Sequence, residues 1–179
     1  MLSRLNGHPF IFSICMLAAA SKGYAEENGP VVQINLLSEY FIKGDYSLSY
    51  DVLVGSEIQY YFSHSQPLHH FVKSGYRAST SQSGSALELF NLDLGSRYHM
   101  GTFWGNKLFA NYSVGAVYSS EEFSIQLIDR EANTSFSDWA LQGSVALDME
   151  LGNQLSSKLF FNQIDSKGSS AGLSVSLAF

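Results

Sequence analysis

The sequence predicts an all-β chain: eight antiparallel strands closed up-and-down into a transmembrane β-barrel. Three observations carry that expectation. Apolar and polar residues alternate one by one in eight stretches, the charges inside those stretches share one phase of the alternation, and aromatic residues of the other phase gather at the stretch ends. Composition narrows the field: 179 residues, 45% hydrophobic, 15% charged, with one cysteine. That length suits one domain, and the absence of any run of 18 apolar residues excludes a membrane-crossing helix. A net charge of -6 argues against a nucleic-acid partner, which needs a basic surface.

Residues 1–25 have the plan of a cleaved signal peptide. Arg4 gives a positive start, an apolar core runs from Phe10 to Ala20, and Gly23-Tyr24-Ala25 ends on small residues. Residues 26–179 then form a single barrel domain. Cys15, Arg4 and Lys22 leave with the peptide, so sixteen acidic residues face eight basic ones and the charge falls to -8. Without a thiol, the exported chain has no disulfide, thiolate metal site or cysteine nucleophile.

The strands are expected at 31–42, 47–62, 69–79, 87–100, 108–118, 137–151, 155–164 and 171–179, separated by segments rich in Gly, Asn, Pro and Ser, which favour turns. In the last, Leu173, Val175, Leu177 and Phe179 alternate with Gly172, Ser174, Ser176 and Ala178. Charges at Glu39, Asp51, Glu57, Lys73, Arg77, Asp93, Arg97, Asp138, Asp148, Glu150 and Lys158 all fall on the polar phase.

Alternation alone leaves open which face is outside, since a soluble barrel would bury the apolar phase. The aromatic residues favour the inverted arrangement. Tyr40, Tyr50, Tyr76, Phe90, Tyr118 and Trp139 mark one rim and Tyr60, Phe62, Tyr98 and Phe179 the other, as in the girdles of a barrel lying in lipid. The chain also stops on the apolar phase, at Phe179, without a polar tail. With both termini on one side, the turns after the second, fourth and sixth strands are short. The longest connection, 119–136 from Ser119 to Phe136, faces the other way.

Eight strands enclose a bore that side chains can fill, so the polar phase reads as a plug of charge pairs. Hairpin register puts Glu57 opposite Lys73, Asp51 opposite Arg77 and Asp148 opposite Lys158, with Asp93 and Arg97 on one face of the fourth strand. A narrow gated ion path through the same pairs is the alternative reading. No catalytic residue, cofactor or metal ligand set is assigned. His64, His69, His70 and His99 fall at the short-turn end, away from the long connection, without carboxylates or cysteines at ligand spacing. Asn133-Thr134-Ser135 matches a glycosylation sequon by accident. The 119–136 segment is acidic through Glu121, Glu122, Asp129 and Glu131, while Phe123, Ile125 and Leu127 alternate as in a strand. It reads as a projecting hairpin, whose edge is suited to pairing with a partner protein.

Signal peptide, eight amphipathic strands and the ending Gly172-Leu173-Ser174-Val175-Ser176-Leu177-Ala178-Phe179 together resemble the small outer-membrane barrels typified by the OmpA membrane domain and OmpX. The resemblance implies the outer membrane of a Gram-negative bacterium, outer-membrane lipid as surroundings, and a structural or surface-interaction role without enzymatic activity. It also implies that Phe179, with Leu177, Val175 and Leu173, forms the C-terminal signal read by the barrel-assembly machinery. Lipid A-modifying enzymes occur on the same architecture and form a more distant alternative. A peptidoglycan-binding domain like that of OmpA is missing here, so cell-wall anchoring is not implied.

Overall fold

A computed structural model of the chain describes residues 32–48, 50, 52–63, 68–80, 85–127, 130–165 and 167–179. The expected signal peptide lies outside these described residues. Eight strands follow in chain order: β1 (Val32–Gly44), β2 (Val52–Ser63), β3 (Leu68–Thr80), β4 (Ala86–Phe103), β5 (Asn106–Leu127), β6 (Arg130–Glu150), β7 (Leu155–Ile164) and β8 (Gly168–Ala178). Each pairs antiparallel with the next, and β8 returns to β1 to close the barrel. Closure removes the sheet edges that a flat array would leave unpaired.

Which phase faces inward follows from burial. Ser170, Ser174 and Ser176 of β8 are buried, whereas Leu173, Val175 and Leu177 are exposed. The same holds around the ring: Val54, Leu94, Val114 and Val145 are all more than half exposed, and Asn35, Gln59, Asp93 and Gln142 are almost fully enclosed. A wall in contact with acyl chains accounts for so many outward leucines, valines and aromatic rings.

The ends of the barrel differ. Val32 and Phe179 meet at the near end, through Phe179 N donating to Val32 O at 2.9 Å. There β4 and β5 are joined through Trp104-Gly105, both with positive φ (51° and 80°), as a two-residue hairpin matching strand twist requires. At the far end, most of the expected 119–136 connection is strand. The β5–β6 ladder runs unbroken from Leu108↔Met149 to Leu127↔Arg130. β4 accompanies β5 only as far as Ala86↔Glu122, and β7 accompanies β6 only from Gln142↔Ile164.

A second departure concerns the start of β2, expected from residue 47. The chain instead makes a 3-10 turn over Asp45–Leu48, with Tyr50 N donating to Tyr46 O at 3.0 Å, and β2 begins at Val52. This turn places two tyrosines inside the far mouth.

Candidate functional site

The lumen is filled in layers. At the far mouth, Tyr46 and Tyr50, each 2% exposed, form a buried cluster with Leu53, Leu87, Leu89, Val117 and Ile164, flanked by Phe41 and Ala140. Tyr50, expected on the outer girdle, is therefore an interior residue, because the 3-10 turn folds it back over the bore. Backbone bonds hold this cap in place: Asp45 N donates to Lys167 O at 2.9 Å, and Lys167 N to Ile164 O at 2.8 Å. Lys167 Nζ lies 3.3 Å from Asp138. Burial pushes the Tyr50 hydroxyl up to about 12 and raises that of Tyr46 as well.

Beneath the cap lies a polar layer. Arg77 donates through Nη1 to Glu39 Oε2 at 2.9 Å and through Nη2 to Gln142 Oε1 at 2.7 Å. Glu39 also accepts from Asn162 Nδ2 at 2.9 Å and from the Ser170 hydroxyl. Asn91 Nδ2 and Gln142 Nε2 both donate to Asp93 Oδ2, at 2.6 and 3.3 Å. Lys73 lies between Asp93 (3.4 Å) and Glu57 (3.6 Å). Such a network is tolerable in an enclosed space because nearly every charge has a charged or amide partner.

Toward the near end, Arg97 pairs with Asp148 (2.9 Å) and Glu150 (3.2 Å), while its guanidinium lies 3.5 Å from the Phe109 ring centroid. Tyr61 Oη donates to Gln33 Oε1 at 2.9 Å and accepts from Gln59 Nε2 at 3.0 Å.

Several expected partners are rearranged. Glu57 and Lys73 meet, but diagonally: the residue opposite Lys73 is Gln59, two positions from the expected register. Arg77 lies opposite Gly55 and ion-pairs across β2 with Glu39 on β1; Asp51 lies outside the described residues. Asp148 does stand opposite Lys158, yet its ion pair is with Arg97. Asp93 and Arg97 share the lumen face of β4 and take different partners.

Glycines make room for this filling. A Cβ on Gly75 would come within 2.6 Å of Glu57 Cγ and 2.7 Å of Asn91 Oδ1, and one on Gly95 within 2.5 Å of Phe71 Cζ. These lumen glycines, and the hub residues Glu39, Gln142 and Asn162, were not singled out from sequence as members of one site. Their signal is a glycine on the polar phase of one strand beside a bulky lumen residue on the next.

On the outer face, Tyr76–Phe90 (4.7 Å between centroids) and Tyr118–Trp139 (5.2 Å) stack in one belt, with Tyr40 exposed at the same level. Tyr60, Phe62, Tyr98 and Phe179 are exposed at the near end, where Trp104 adds an 87%-exposed ring stacked on Phe103. His70 Nδ1 lies 2.7 Å from Ser96 Oγ, directly opposite it in register, and its ring stacks on Phe62. His64 lies outside the described residues. Among the described residues no group of three or more His, Cys, Asp or Glu side chains is arranged to hold a metal ion.

Beyond the far belt stands the β5–β6 hairpin. Among the described residues, Arg130 to Ala140 of β6 have a strand partner on the β5 side alone. Phe123 and Phe136 meet edge to face, 6.1 Å apart, and Phe136 is 63% exposed.

No protein-family model and no curated relative matches the chain. Solved structures do share its fold. The N-terminal β-barrel domain of Pseudomonas aeruginosa OprF is 19% identical, with 83% of this chain and 96% of that one covered and a TM-score of 0.54. Ail, the attachment invasion locus protein of Yersinia pestis, is 12% identical over 83% and 96%, with a TM-score of 0.60. A structure from the de novo design of transmembrane β-barrels is 14% identical over 84% and 97%, with a TM-score of 0.51. The likeness therefore concerns architecture, a closed eight-stranded barrel of the transmembrane kind, which a designed barrel shares as fully as the natural ones.

Proposed function

We propose that the chain is a non-enzymatic outer-membrane barrel of a Gram-negative bacterium that presents its far-end hairpin to partners outside the cell. The near end, with its short turns and both strand termini, then faces the periplasm, and the exported chain begins after residue 25. The observation that carries this reading is the pairing of a filled lumen with an open edge. Ion pairs and apolar side chains fill the bore apart from a small mid-lumen cavity, and among the described residues β6 from Arg130 to Ala140 pairs on its β5 side alone. A filled bore supports a surface role over transport. Open main-chain positions support recognition by strand addition to a partner protein.

Membrane fractionation with heat-modifiable gel mobility, combined with planar-bilayer recording, tests the reading. Folded protein in the outer-membrane fraction and no large, stable conductance are expected; a persistent channel would move the narrow-pore alternative to first place. We further read Leu173, Val175, Leu177 and Phe179 as the segment engaged by the barrel-assembly machinery. Deleting Phe179 should lower the folded fraction in the outer membrane and induce the periplasmic stress response, measured by the same mobility shift and a stress-promoter reporter.

A further inference from the structure

Among the described lumen cations, Lys158 stands apart. Arg77, Lys73 and Arg97 each have a carboxylate within 4 Å, whereas Lys158, 8% exposed and opposite Asp148 in register, donates to Gln59 Oε1 at 3.3 Å. An ammonium carries three N–H donors, so two directions around Nζ are unfilled by that contact. Lys158 lines a mid-lumen cavity in which water centres have about 20 Å³, room for one or two water-sized occupants.

The lining mixes apolar Phe71, Ala146 and Phe160 with charged and polar residues. Lys73 and Lys158 stand against Glu57, with Ser113, Ser144 and Asn111 among the neutral members. Asn111 is 7% exposed, and neither its amide nitrogen nor its amide oxygen has a hydrogen-bond partner. Asn162, also in the lining, leaves its amide oxygen unpartnered. Leaving such groups bare costs roughly 1–3 kcal/mol each, so the cavity requires a polar occupant. Water alone meets the two amide oxygens. An ammonium with spare donors and an unpartnered amide nitrogen in the same lining have room for an acceptor-only species as well.

We propose that this cavity binds one chloride-sized monovalent anion, held by Lys158 Nζ and Asn111 Nδ2, with a water on the amide oxygens.

The test is to fold the whole barrel in bromide with chloride excluded, crystallise it, and collect anomalous data at the bromine edge. One bromide peak between Lys158 and Asn111 is expected, and Lys158→Gln should abolish it while the heat-modifiable mobility is retained. Should Lys158→Gln fail to fold, Asn111→Ala serves instead and should reduce the peak severalfold. Water density without an anomalous peak in the unmutated barrel overturns the proposal. A bromide peak that survives Lys158→Gln, or persists undiminished in Asn111→Ala, overturns it equally.

Discussion

Where Arg77 meets Glu39, the lumen is held by charge; toward the far mouth, where Tyr46 and Tyr50 cluster with Leu53, Leu87 and Leu89, it is held by apolar burial. Both layers stand on the inward phase of the same strands, and they differ in how they fail. A charge network depends on every member, since removing one partner strands another in a confined space. An apolar layer loses contact area in proportion to what is removed. The polar layer therefore fixes the relative positions of β1, β3, β4 and β6, whereas the tyrosine cap closes one end and can loosen on its own.

The largest effect that separates the two layers is expected from Arg77→Met. It leaves Glu39 without its cation and should cost roughly 3–5 kcal/mol, read as a lowered midpoint of denaturant unfolding in vesicles. Adding Glu39→Gln should recover part of that loss, since the remaining amide still accepts from Asn162 and Ser170. Next in size is the outer wall. Arginine at Val54, Leu94, Val114 or Val145 should cost roughly 2–4 kcal/mol at the bilayer midplane, and arginine at lumen-facing Ser144 less; equal tolerance at both sets would contradict the inverted arrangement. Smaller again is Tyr50→Ala, which forfeits roughly 1.5–3 kcal/mol of burial in the cap. Hydrogen exchange should quicken at Tyr50 N and Asp45 N while the Arg77 layer stays protected.

The smallest effect is a titration. Burial, reinforced by Asp45 and opposed by Lys167, raises the Glu121 carboxyl above the ordinary glutamate value. Its folded pKa thus exceeds its unfolded one, so the cap is least favoured while Glu121 is charged and gains stability as pH falls through the folded value. Glu121→Gln should remove that step from the pH dependence of cap exchange rates.

Strand positions were legible because period-two alternation is a local signal, and the inward phase was legible because charge is intolerable against acyl chains. The ion pairs were less so. Asp148 and Lys158 do lie opposite one another, since a short turn fixes their register, but the choice of Arg97 as the partner of Asp148 is made across the bore between strands distant in sequence. The β2–β3 ladder sets Gln59 rather than Glu57 opposite Lys73, a register that no local pattern announces. The cap left a trace that alternation read strand by strand does not collect: Leu53, Leu87, Leu89 and Ile164 are apolar residues on the polar phase near far-end strand termini, and Val117 of the longer β5 clusters with them. Tyr50 reads as a girdle residue because ring-at-strand-end is a statistical habit, and the 3-10 turn reverses it.

The lumen glycines carry a consequence for how this sequence can drift. Gly75 accommodates Glu57 and Asn91, and Gly95 accommodates Phe71. Neighbouring strands thus share a fixed interior volume, and bulk is conserved across the pair rather than at either position. Homologous chains should exchange large and small residues across the first pair in concert, so that a side chain gained at position 75 is accompanied by one lost at 57, whereas position 95, where a Cβ would also lie 2.4 Å from Tyr112 O, should stay glycine. Covariation between those columns would trace the strand register from sequences alone, independently of any hydrophobic pattern.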